Sequence, residues 1–293
     1  MSHEGWFYLI ILIILIKSLK LKIIKFLILF VNILESMDNI IFIFSHYDDE
    51  FGLFNVIENS TKKNKNVFVL YLTNGLTKQE TKNIKKLKKR ESESLQILLK
   101  LGVKKENIIL LGKKLNITVY DLYKKLDIAY KNINALLKKL KGNYFVYTHA
   151  WEGGNEDHDA SFVIVKKILC KNIRTLLGFQ FSQYHRRNVH IYPFKVQTLI
   201  NSNSKIYKSK LSIFSKIKYI SYLFTYTSQL YLWLPIYPFI IIKILFNNYG
   251  NVKIISKNLI LKKPHSGNLL YENLRVNKYK ELKNYFFNFL NKD

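Results

Sequence analysis

Cysteine, methionine, proline and glycine are all scarce in this chain of 293 residues, which has 1 Cys, 2 Met, 4 Pro and 11 Gly. The single cysteine, Cys170, excludes an internal disulfide and any metal site built from several thiolates. It lies among apolar residues, so we expect a buried, inert thiol and no disulfide-linked partner. No Walker motif and no G-x-G-x-x-G follows the first strand, so nucleotide binding has little support.

Acidic residues are also few, since 47 Lys and Arg are set against 20 Asp and Glu, for a net charge of +27. Such a charge can indicate a nucleic acid, an anionic membrane surface or an acidic substrate. The abundance of Lys, Asn, Ile, Tyr and Phe is, however, what A/T-rich codons produce. No motif of a nucleic-acid-reading module is present. We therefore expect most of the charge to be solvated surface and no nucleic acid partner.

The N-terminus is apolar but interrupted by lysines. An apolar run from Trp6 to Ile16 is followed by four lysines before a second run begins at Phe26. Neither run reaches the roughly 18–20 residues that cross a bilayer, and the basic residues follow the apolar run, unlike those of a signal peptide. We expect residues 1–36 to be an apolar helical extension at a membrane surface, or the result of a mis-chosen translation start. The main domain then spans 37–293, in the cytoplasm or on the cytoplasmic face of a membrane, and secretion is not expected.

From Asn39 onward, strands and helices alternate. Continuous apolar runs predict strands over 39–45, 65–73, 107–112, 143–149 and 175–184, with helices over 77–101, 119–140 and from His158. This order predicts an α/β fold with a Rossmann-like, mostly parallel β-sheet and helices on both faces. The apolar segment 229–246 contains Pro235, Pro238 and Lys243, and we expect it to pack irregularly over the core. A membrane-contacting patch is the alternative, ahead of a true span.

Two loops that follow predicted strands are rich in histidine and acid: "SHYDDE" (45–50) and "THAWEGGNEDHD" (148–159). Loops after parallel strands converge at one edge of the sheet, where α/β proteins bind ligands. A divalent ion would balance the adjacent carboxylates, and imidazole with carboxylate favours zinc or a similar first-row metal. Taken alone, the acids of the first loop could be a solvated helix start, and His158 a surface histidine. Their joint occurrence favours a metal site with one open position, which is the catalytic zinc pattern.

The same stretches resemble a known family. "SHYDDE" is similar to the A-H-P-D-D-E signature of the PIG-L/LmbE-like zinc-dependent N-deacetylases, and "HAWEGGNEDHDA" (149–160) to their second motif, of the type E-G-G-H-x-D-H-D. Weaker similarities follow in the family's order: "YLTNG" (71–75), "RESESLQILLKLGV" (90–103), "TSQ" (227–229) and "LLYENL" (269–274). Tyr47 stands where the family has proline.

The resemblance implies a role for each matching residue. His46, Asp49 and His158 match the metal ligands, with Zn²⁺ or another divalent first-row metal as cofactor. Asp48 matches the general base. Asn155 stands where the family generally has a histidine that stabilises the oxyanion or assists proton transfer. Residues expected near the substrate are Arg90, Asn74, His149 and Glu152, and of these His149 or Glu152, or else His265, could compensate for Asn155.

Two functions are therefore expected from the sequence. One is a metal-dependent hydrolase that removes acetyl from an N-acetylated amino-sugar conjugate, with a lipid- or glycan-linked sugar as the candidate substrate and a membrane surface as a candidate partner. The alternative is a catalytically weakened sugar-binding protein of the same fold, because asparagine can donate a hydrogen bond but cannot carry a proton. A third possibility is a basic surface-binding protein in which the two motifs are incidental.

Overall fold

The computed structural model describes residues 20, 39–172, 174–186, 194–200, 205–257, 262–274 and 277–292. Contacts within the chain divide it into two compact units between Asp38 and Asn39. The second unit carries both motifs. The predicted helical extension over 1–36 lies, apart from Lys20, outside the described residues, so it and the domain start at Met37 stay predictions.

The second unit alternates strands and helices. The strands are β1 (Asn39–Phe44), β2 (Asn66–Tyr71), β3 (Ile108–Ile109), β4 (Tyr144–His149), β5 (Thr175–Phe181), β6 (Tyr184–Arg186), β7 (Phe194–Val196), β8 (Ile206–Tyr207) and β9 (Val252–Ile254). The helices are α1 (Phe54–Lys62), α2 (Ile84–Lys100), α3 (Leu111–Lys114), α4 (Leu126–Lys139), α5 (Glu156–Lys171), α6 (Ile213–Leu223), α7 (Leu230–Trp233), α8 (Tyr237–Leu245), α9 (Leu270–Asn273) and α10 (Tyr279–Asn291). Short 3₁₀ turns cover Asp49–Gly52, Lys78–Glu80, Lys105–Asn107, Leu122–Lys124 and Thr227–Gln229.

The main sheet has the strand order β3-β2-β1-β4-β5-β9-β8. Strands β1 to β5 pair in parallel, and β9 and β8 add an antiparallel edge. The prediction of a mostly parallel sheet is confirmed. The strand order reverses between β1 and β4, which pair directly, and ligands of open α/β sheets bind beside such a reversal. The two motif loops leave the sheet from these two neighbouring strands.

Alternate residues of each strand face opposite layers of helices. On one face, Ile41 and Ile43 belong to a hydrophobic cluster with buried residues of α4, α5 and α10. On the other, Phe42 stacks on Tyr147 at 4.9 Å and Tyr147 on Phe179 at 4.8 Å, measured between ring centroids. Helix α1 packs along β2 and also contacts α6, with the Phe54 and Tyr219 rings 5.9 Å apart. The β1 strand is therefore buried on both faces, as its unbroken apolar sequence predicts.

Two predicted helices begin later than expected because their first residues form local turns. In the segment 77–101, the Thr77 backbone N–H donates to Glu80 Oε2 at 3.2 Å and closes a separate 3₁₀ turn. Asn83 then caps α2 by accepting from the Lys86 N–H at 2.9 Å, a role for which asparagine is well suited. In the segment 119–140, Tyr120 adopts a φ of 70°, which is incompatible with a right-handed helix. The main helix there starts at Leu126.

Two further expectations are wrong. The thiol of Cys170 is exposed rather than buried, and it donates to the Lys257 carbonyl at 3.0 Å. The segment 229–246 is not irregular, because Pro235 and Pro238 fall at the break between α7 and α8 and at the first turn of α8, where proline is tolerated. No single helix in the described part of the chain is long and apolar enough to cross a bilayer. Thr227–Trp233 and Tyr237–Leu245 reach that length and composition only as a pair, bent by 93°.

A buried ion pair joins α1 to α6. Glu58 accepts from Lys218 Nζ at 2.6 Å and from the Tyr219 hydroxyl at 2.6 Å, and Lys62 Nζ lies 2.9 Å from its Oε1. Burial alone would raise the pKa of Glu58, but these partners outweigh burial and lower it from 4.5 to about 2.

This shift predicts a pH-dependent stability. Because the folded-state pKa lies below the unfolded one, the stabilisation is complete above pH 4.5 and is lost as the pH falls toward 2. We expect the free energy of unfolding, measured by urea titration between pH 5 and 2.5, to fall less steeply for Glu58→Gln than for the unmodified chain. Asp127→Asn, at an exposed ion pair with Lys292, is the control and should keep the original slope. Equal slopes for Glu58→Gln and the unmodified chain would contradict the assignment.

Candidate active site

The loops after β1 and β4 meet at the carboxyl edge of the sheet. After β1 the chain turns sharply at Asp48, whose backbone has a φ of 111°, a conformation that costs a non-glycine residue of the order of 1–3 kcal/mol. After β4 the chain passes Gly153 and Gly154 and enters α5. A Cβ on Gly154 would lie 1.8 Å from the Tyr184 carbonyl oxygen, so only glycine allows this approach. The turn at Asp48 thus sets the path of the β1 loop, and the approach of Gly154 to Tyr184 sets the path of the β4 loop.

His46, Asp49 and His158 come together in one buried cluster. One potential ligand atom from each of the three lies within 4.8 Å of the others. His46 Nδ1 is 3.7 Å and His158 Nε2 is 3.3 Å from the Asp49 carboxylate. Two residues from the β1 loop and one from α5 thus converge, although more than a hundred positions separate them in the chain. The residues predicted from the sequence as metal ligands are neighbours in space.

The donor set of this cluster fits a metal ion. Nδ1 of His158 is buried without a hydrogen-bond partner, which is costly for a polar group unless a ligand satisfies it, and its Nε2 faces Asp49 Oδ1 at 3.3 Å. Burial and the adjacent His149 lower the pKa of His158 to about 3, so the ring is neutral. Burial would raise the pKa of Asp49, but His149 and His158 hold it well below 3.8. Neutral imidazole and ionised carboxylate are the forms that bind zinc.

Neighbouring groups orient the cluster. Asp157 accepts from His46 Nε2 at 2.9 Å and from the backbone N–H groups of Tyr120 and Leu122 at 2.6 and 3.1 Å. This bond fixes the His46 ring with Nδ1 toward Asp49. Gln183 Nε2 donates to Asp49 Oδ1 at 3.0 Å. In many metal sites, a carboxylate accepts a hydrogen bond from the ligand histidine and fixes the orientation of its ring.

Asp48 is held separately, at the rim of the same cluster. Trp233 Nε1 donates to Asp48 Oδ2 at 3.1 Å, and Arg90 Nη2 lies 3.6 Å from the same oxygen. Arg90 also donates to the backbone carbonyls of Gly75 and Tyr47, so it ties the β1 loop to the β2 loop. Burial raises the pKa of Asp48 to about 8, against the opposing effect of Arg90.

Glu50 points away from the cluster. Its Oε2 accepts from the Tyr71 hydroxyl at 2.6 Å and from the Asp48 N–H at 3.2 Å, and its Oε1 accepts from the Tyr226 hydroxyl at 2.8 Å. Burial raises the pKa of Glu50, and the tyrosine hydroxyls counteract part of that rise. The three consecutive acids are therefore distributed over three environments: cavity rim, metal cluster and tyrosine pair.

A cavity of about 160 Å³ opens beside the cluster. Its walls include the predicted residues His46, Asp48, Asp49, Arg90 and Asn155, together with Thr77, Glu80, Lys86, Val119, Tyr120, Tyr184, Gln229, Leu232 and Trp233. Asn155 caps α5, since its Oδ1 accepts from the Asp157 and His158 N–H groups at 2.8 and 3.4 Å. Its side chain is also hydrogen-bonded to that of Tyr184.

Three residues predicted near the substrate do not line this cavity. Asn74 Oδ1 accepts from the Leu76 N–H at 3.0 Å and closes the turn after β2. His149 lies behind the cluster, stacked on His158 at 3.8 Å and 2.9 Å from Asp49 Oδ2. Glu152 accepts from the Gln183 and Tyr184 N–H groups and joins the β4 loop to the end of β5. His265 is not among the residues that line the cavity either, and its compensation for Asn155 stays a prediction.

Sequence reasoning missed the contributions of Asp157, Gln183, Tyr184, Gln229 and Trp233. Asp157 belongs to a motif that the sequence singled out, but its spacing carries no sign that it bonds to His46. Gln183, Tyr184 and Trp233 follow apolar stretches and have no local pattern. Only the "TSQ" resemblance pointed toward Gln229, whose amide lies against the Arg90 guanidinium.

Comparison with known proteins agrees with this geometry. Residues 41–169 match the family model described as PIG-L, GlcNAc-PI de-N-acetylase. This range contains both loops and all three clustered residues, and it confirms the resemblance to the PIG-L family over this part of the chain. A search of curated proteins found no match.

Solved structures show the same fold. The A40926 pseudoaglycone deacetylase has a TM-score of 0.53 at 13% identity, over 74% of this chain and 95% of that one. A deacetylase of the teicoplanin biosynthesis pathway has a TM-score of 0.52 at 12% identity, over 74% and 98%. The N,N'-diacetylchitobiose deacetylase from Pyrococcus horikoshii has a TM-score of 0.52 at 14% identity, over 79% and 89%. At these identities the likeness concerns the fold alone.

The Asp157–His46 contact predicts a loss of metal affinity on substitution. In Asp157→Asn, an amide N–H₂ group replaces a carboxylate oxygen that accepts from His46 Nε2. An N–H₂ group cannot accept this hydrogen bond, so the His46 ring loses its fixed orientation. We expect zinc affinity, measured by competition with a chromogenic chelator, to fall by about 10- to 100-fold. Glu156→Gln changes the neighbouring acid of the same helical turn, which accepts a hydrogen bond from Asn277 and not from His46, and should leave affinity nearly unchanged. Equal affinities for the two variants would show that Asp157 does not orient His46.

Proposed function

We propose that this protein is a zinc-dependent N-deacetylase that removes acetyl from an N-acetylated amino-sugar conjugate. The observation that carries the proposal is the buried His46, Asp49 and His158 cluster beside Asp48 in an accessible cavity. The family description names a GlcNAc-PI de-N-acetylase, and one protein of similar fold is a diacetylchitobiose deacetylase. Both names support an N-acetylated sugar as the substrate.

His46, Asp49 and His158 would hold the zinc ion. Three protein ligands leave a position for water or substrate, and bound zinc would supply a Lewis acid that acidifies water and polarises a carbonyl. Asp157 and Gln183 hold two of these ligands, His46 and Asp49, in place by hydrogen bonds.

Asp48 is the residue we assign to proton transfer. Trp233 and Arg90 both contact Oδ2 of Asp48. We assign its other oxygen, Oδ1, as the acceptor of the proton from the attacking water. Because Asn155 carries no titratable proton, the departing amine must receive its proton from Asp48. One carboxylate then acts as base and afterwards as acid.

Asn155 and Tyr184 also line the cavity. Both can donate a neutral hydrogen bond to the oxygen of the amide as it becomes negatively charged. The Oδ1 atom of Asn155 is used by the helix cap, so the side chain is held in one orientation. We assign these two residues to oxyanion stabilisation. This assignment explains how asparagine can serve at a position for which the sequence comparison expects histidine.

The alternative, a catalytically weakened sugar-binding protein, depends on Asn155 alone. Asp48, two of the three clustered ligands (His46 and Asp49) and the oxyanion donors all line the same cavity. The hydrolase accounts for these residues together, whereas the binding protein leaves the held position of Asp48 without a purpose.

Acetate release tests the proposal. Zinc-loaded protein is incubated with a set of N-acetylglucosamine conjugates, free and lipid-linked, and both acetate and the new primary amine are measured. We expect equimolar release, reduced by about 10²- to 10⁴-fold in Asp48→Asn because the proton-transfer group is lost. Zinc content of that variant should stay stoichiometric.

Glu80→Gln, at the rim of the same cavity, is the matched control and should retain most of the activity. Absence of acetate release from every conjugate, under conditions in which a known deacetylase is active, would contradict the proposal. Equal rates for Asp48→Asn and the unmodified protein would contradict the role of Asp48.

A further inference from the structure

A group of large apolar side chains is exposed beside the cavity. On α6 and just after it, Phe214, Ile217 and Phe224 recur at intervals of three and seven residues and are 82, 62 and 53% exposed. On α7 and α8 and directly after each of them, the exposed apolar residues include Tyr231, Leu232, Leu234, Ile242, Leu245 and Phe246. We call these nine residues the apolar ridge. Soluble proteins rarely expose so many large apolar residues together unless the surface binds a partner.

Two of the helices that carry the apolar ridge, α6 and α8, pack on one another. Helices α6 and α8 are in contact, and the Phe224 and Tyr237 rings are 5.6 Å apart. Lys216 Nζ on α6 donates to the Leu245 carbonyl at the end of α8, at 2.7 Å. The inward residues Tyr219, Leu223, Ile240 and Ile244 are buried. The exposed side chains therefore belong to one supported surface rather than to separate loops.

The segment that forms the ridge carries charge of one sign. No Asp or Glu occurs between Asp159 and Glu272, a stretch that contains all of α6, α7 and α8. Six lysines lie shortly before the ridge or within it: Lys205, Lys208, Lys210, Lys216, Lys218 and Lys243. Of these, Lys218 is paired with Glu58 of α1. Exposed aromatic and aliphatic residues next to lysines are the composition of surfaces that lie in the interface of an anionic bilayer. A protein partner would have to supply an acidic and apolar surface at once.

The ridge reaches the cavity itself. Leu232, 71% exposed, belongs to the ridge and also lines the cavity. The next residue, Trp233, holds Asp48. A surface that enters the headgroup region through α7 would therefore place the cavity mouth at the level of the lipid headgroups.

We propose that the apolar ridge docks on an anionic phospholipid bilayer. The docking stands on the exposed residues and their charge. Its purpose, delivery of a membrane-borne N-acetylated sugar to Asp48 and the metal cluster, rests on the proposed function. The ridge lies in the interface and does not span the bilayer.

Vesicle flotation of the full-length protein tests the docking. Phosphatidylcholine vesicles with about 30 mol% phosphatidylserine should bind it, and binding should weaken in about 0.5 M NaCl, where surface charges are screened. The variant Phe214→Ser/Tyr231→Ser/Phe246→Ser should lower the partition coefficient at least about tenfold, because three large apolar groups no longer enter the interface. The control variant Ile84→Ser/Ile128→Ser/Phe287→Ser, which changes exposed residues elsewhere, should bind as the unmodified protein does.

Hydrogen exchange of the unmodified protein provides a second measurement that needs no variant. Amides of Thr227–Phe246 should gain protection with the anionic vesicles, and those of α10 should not. Equal flotation of the two triple variants would overturn the proposal, because another part of the chain would then hold the membrane. A ridge variant that becomes monomeric while the unmodified protein is a dimer, without any change in flotation, would assign the ridge to a second copy instead.

Activity separates this proposal from the deacetylase assignment. Acetate release from a water-soluble N-acetylated sugar should be the same in the ridge variant and the unmodified protein. Flotation lost in the ridge variant with that activity intact supports docking. Flotation that depends on the ridge in a protein that releases no acetate would leave the docking standing and remove the proposed function.

Discussion

The Asp49 carboxylate is the point at which the two halves of the site join. Its Oδ2 accepts from the N–H groups of Ser45 and His46 at 3.0 and 2.7 Å, while its Oδ1 faces His158 and Gln183. These groups come from the β1 loop, from α5 and from the end of β5. Because β1 and β4 are adjacent and parallel, their loops leave the sheet at the same edge. The fold thus brings distant residues to one carboxylate, and the other features of the site follow from that.

Three adjacent acids in a row would repel one another if they shared one environment. The left-handed turn at Asp48 turns the three side chains apart. Asp48 meets Arg90 and Trp233, Asp49 meets two imidazoles, and Glu50 meets two tyrosines. The backbone cost at Asp48 is thus offset by a separate set of partners for each carboxylate. The same turn places a proton-transfer group beside the metal ligands without making it a ligand.

The sequence was sufficient for the five parallel strands, although β3 is only Ile108–Ile109, and for the cluster, because both depend on local patterns; the antiparallel edge of β9 and β8 was not predicted. Buried parallel strands have continuous apolar runs, and the two polar loops follow directly from them. It was insufficient where the structure depends on long-range contacts. Trp233 reaches Asp48 from a segment almost two hundred positions away, and Gln183 reaches Asp49 across the β5 end. The position of Asn74 was predicted near the substrate by resemblance, yet its side chain closes a turn, which the Thr-Asn-Gly sequence alone could not distinguish.

The apolar segment 229–246 shows that composition alone does not tell which apolar residues are buried in the core and which are exposed. Its buried residues cover the core and its exposed residues form the ridge, so core packing and surface contact are both encoded in one stretch. The arrangement of α7 and α8 determines which residues of the segment face the core and which face the surface. Trp233 links the two, because it lies in that segment and holds the proposed catalytic carboxylate.

The most direct test of the central claim is the position of the metal. Crystals of the zinc-loaded protein, measured on both sides of the zinc absorption edge, should show one anomalous peak about 2.0–2.3 Å from an atom of each of His46, Asp49 and His158. Zinc bound elsewhere, with those three side chains still in contact only with one another, would contradict the account.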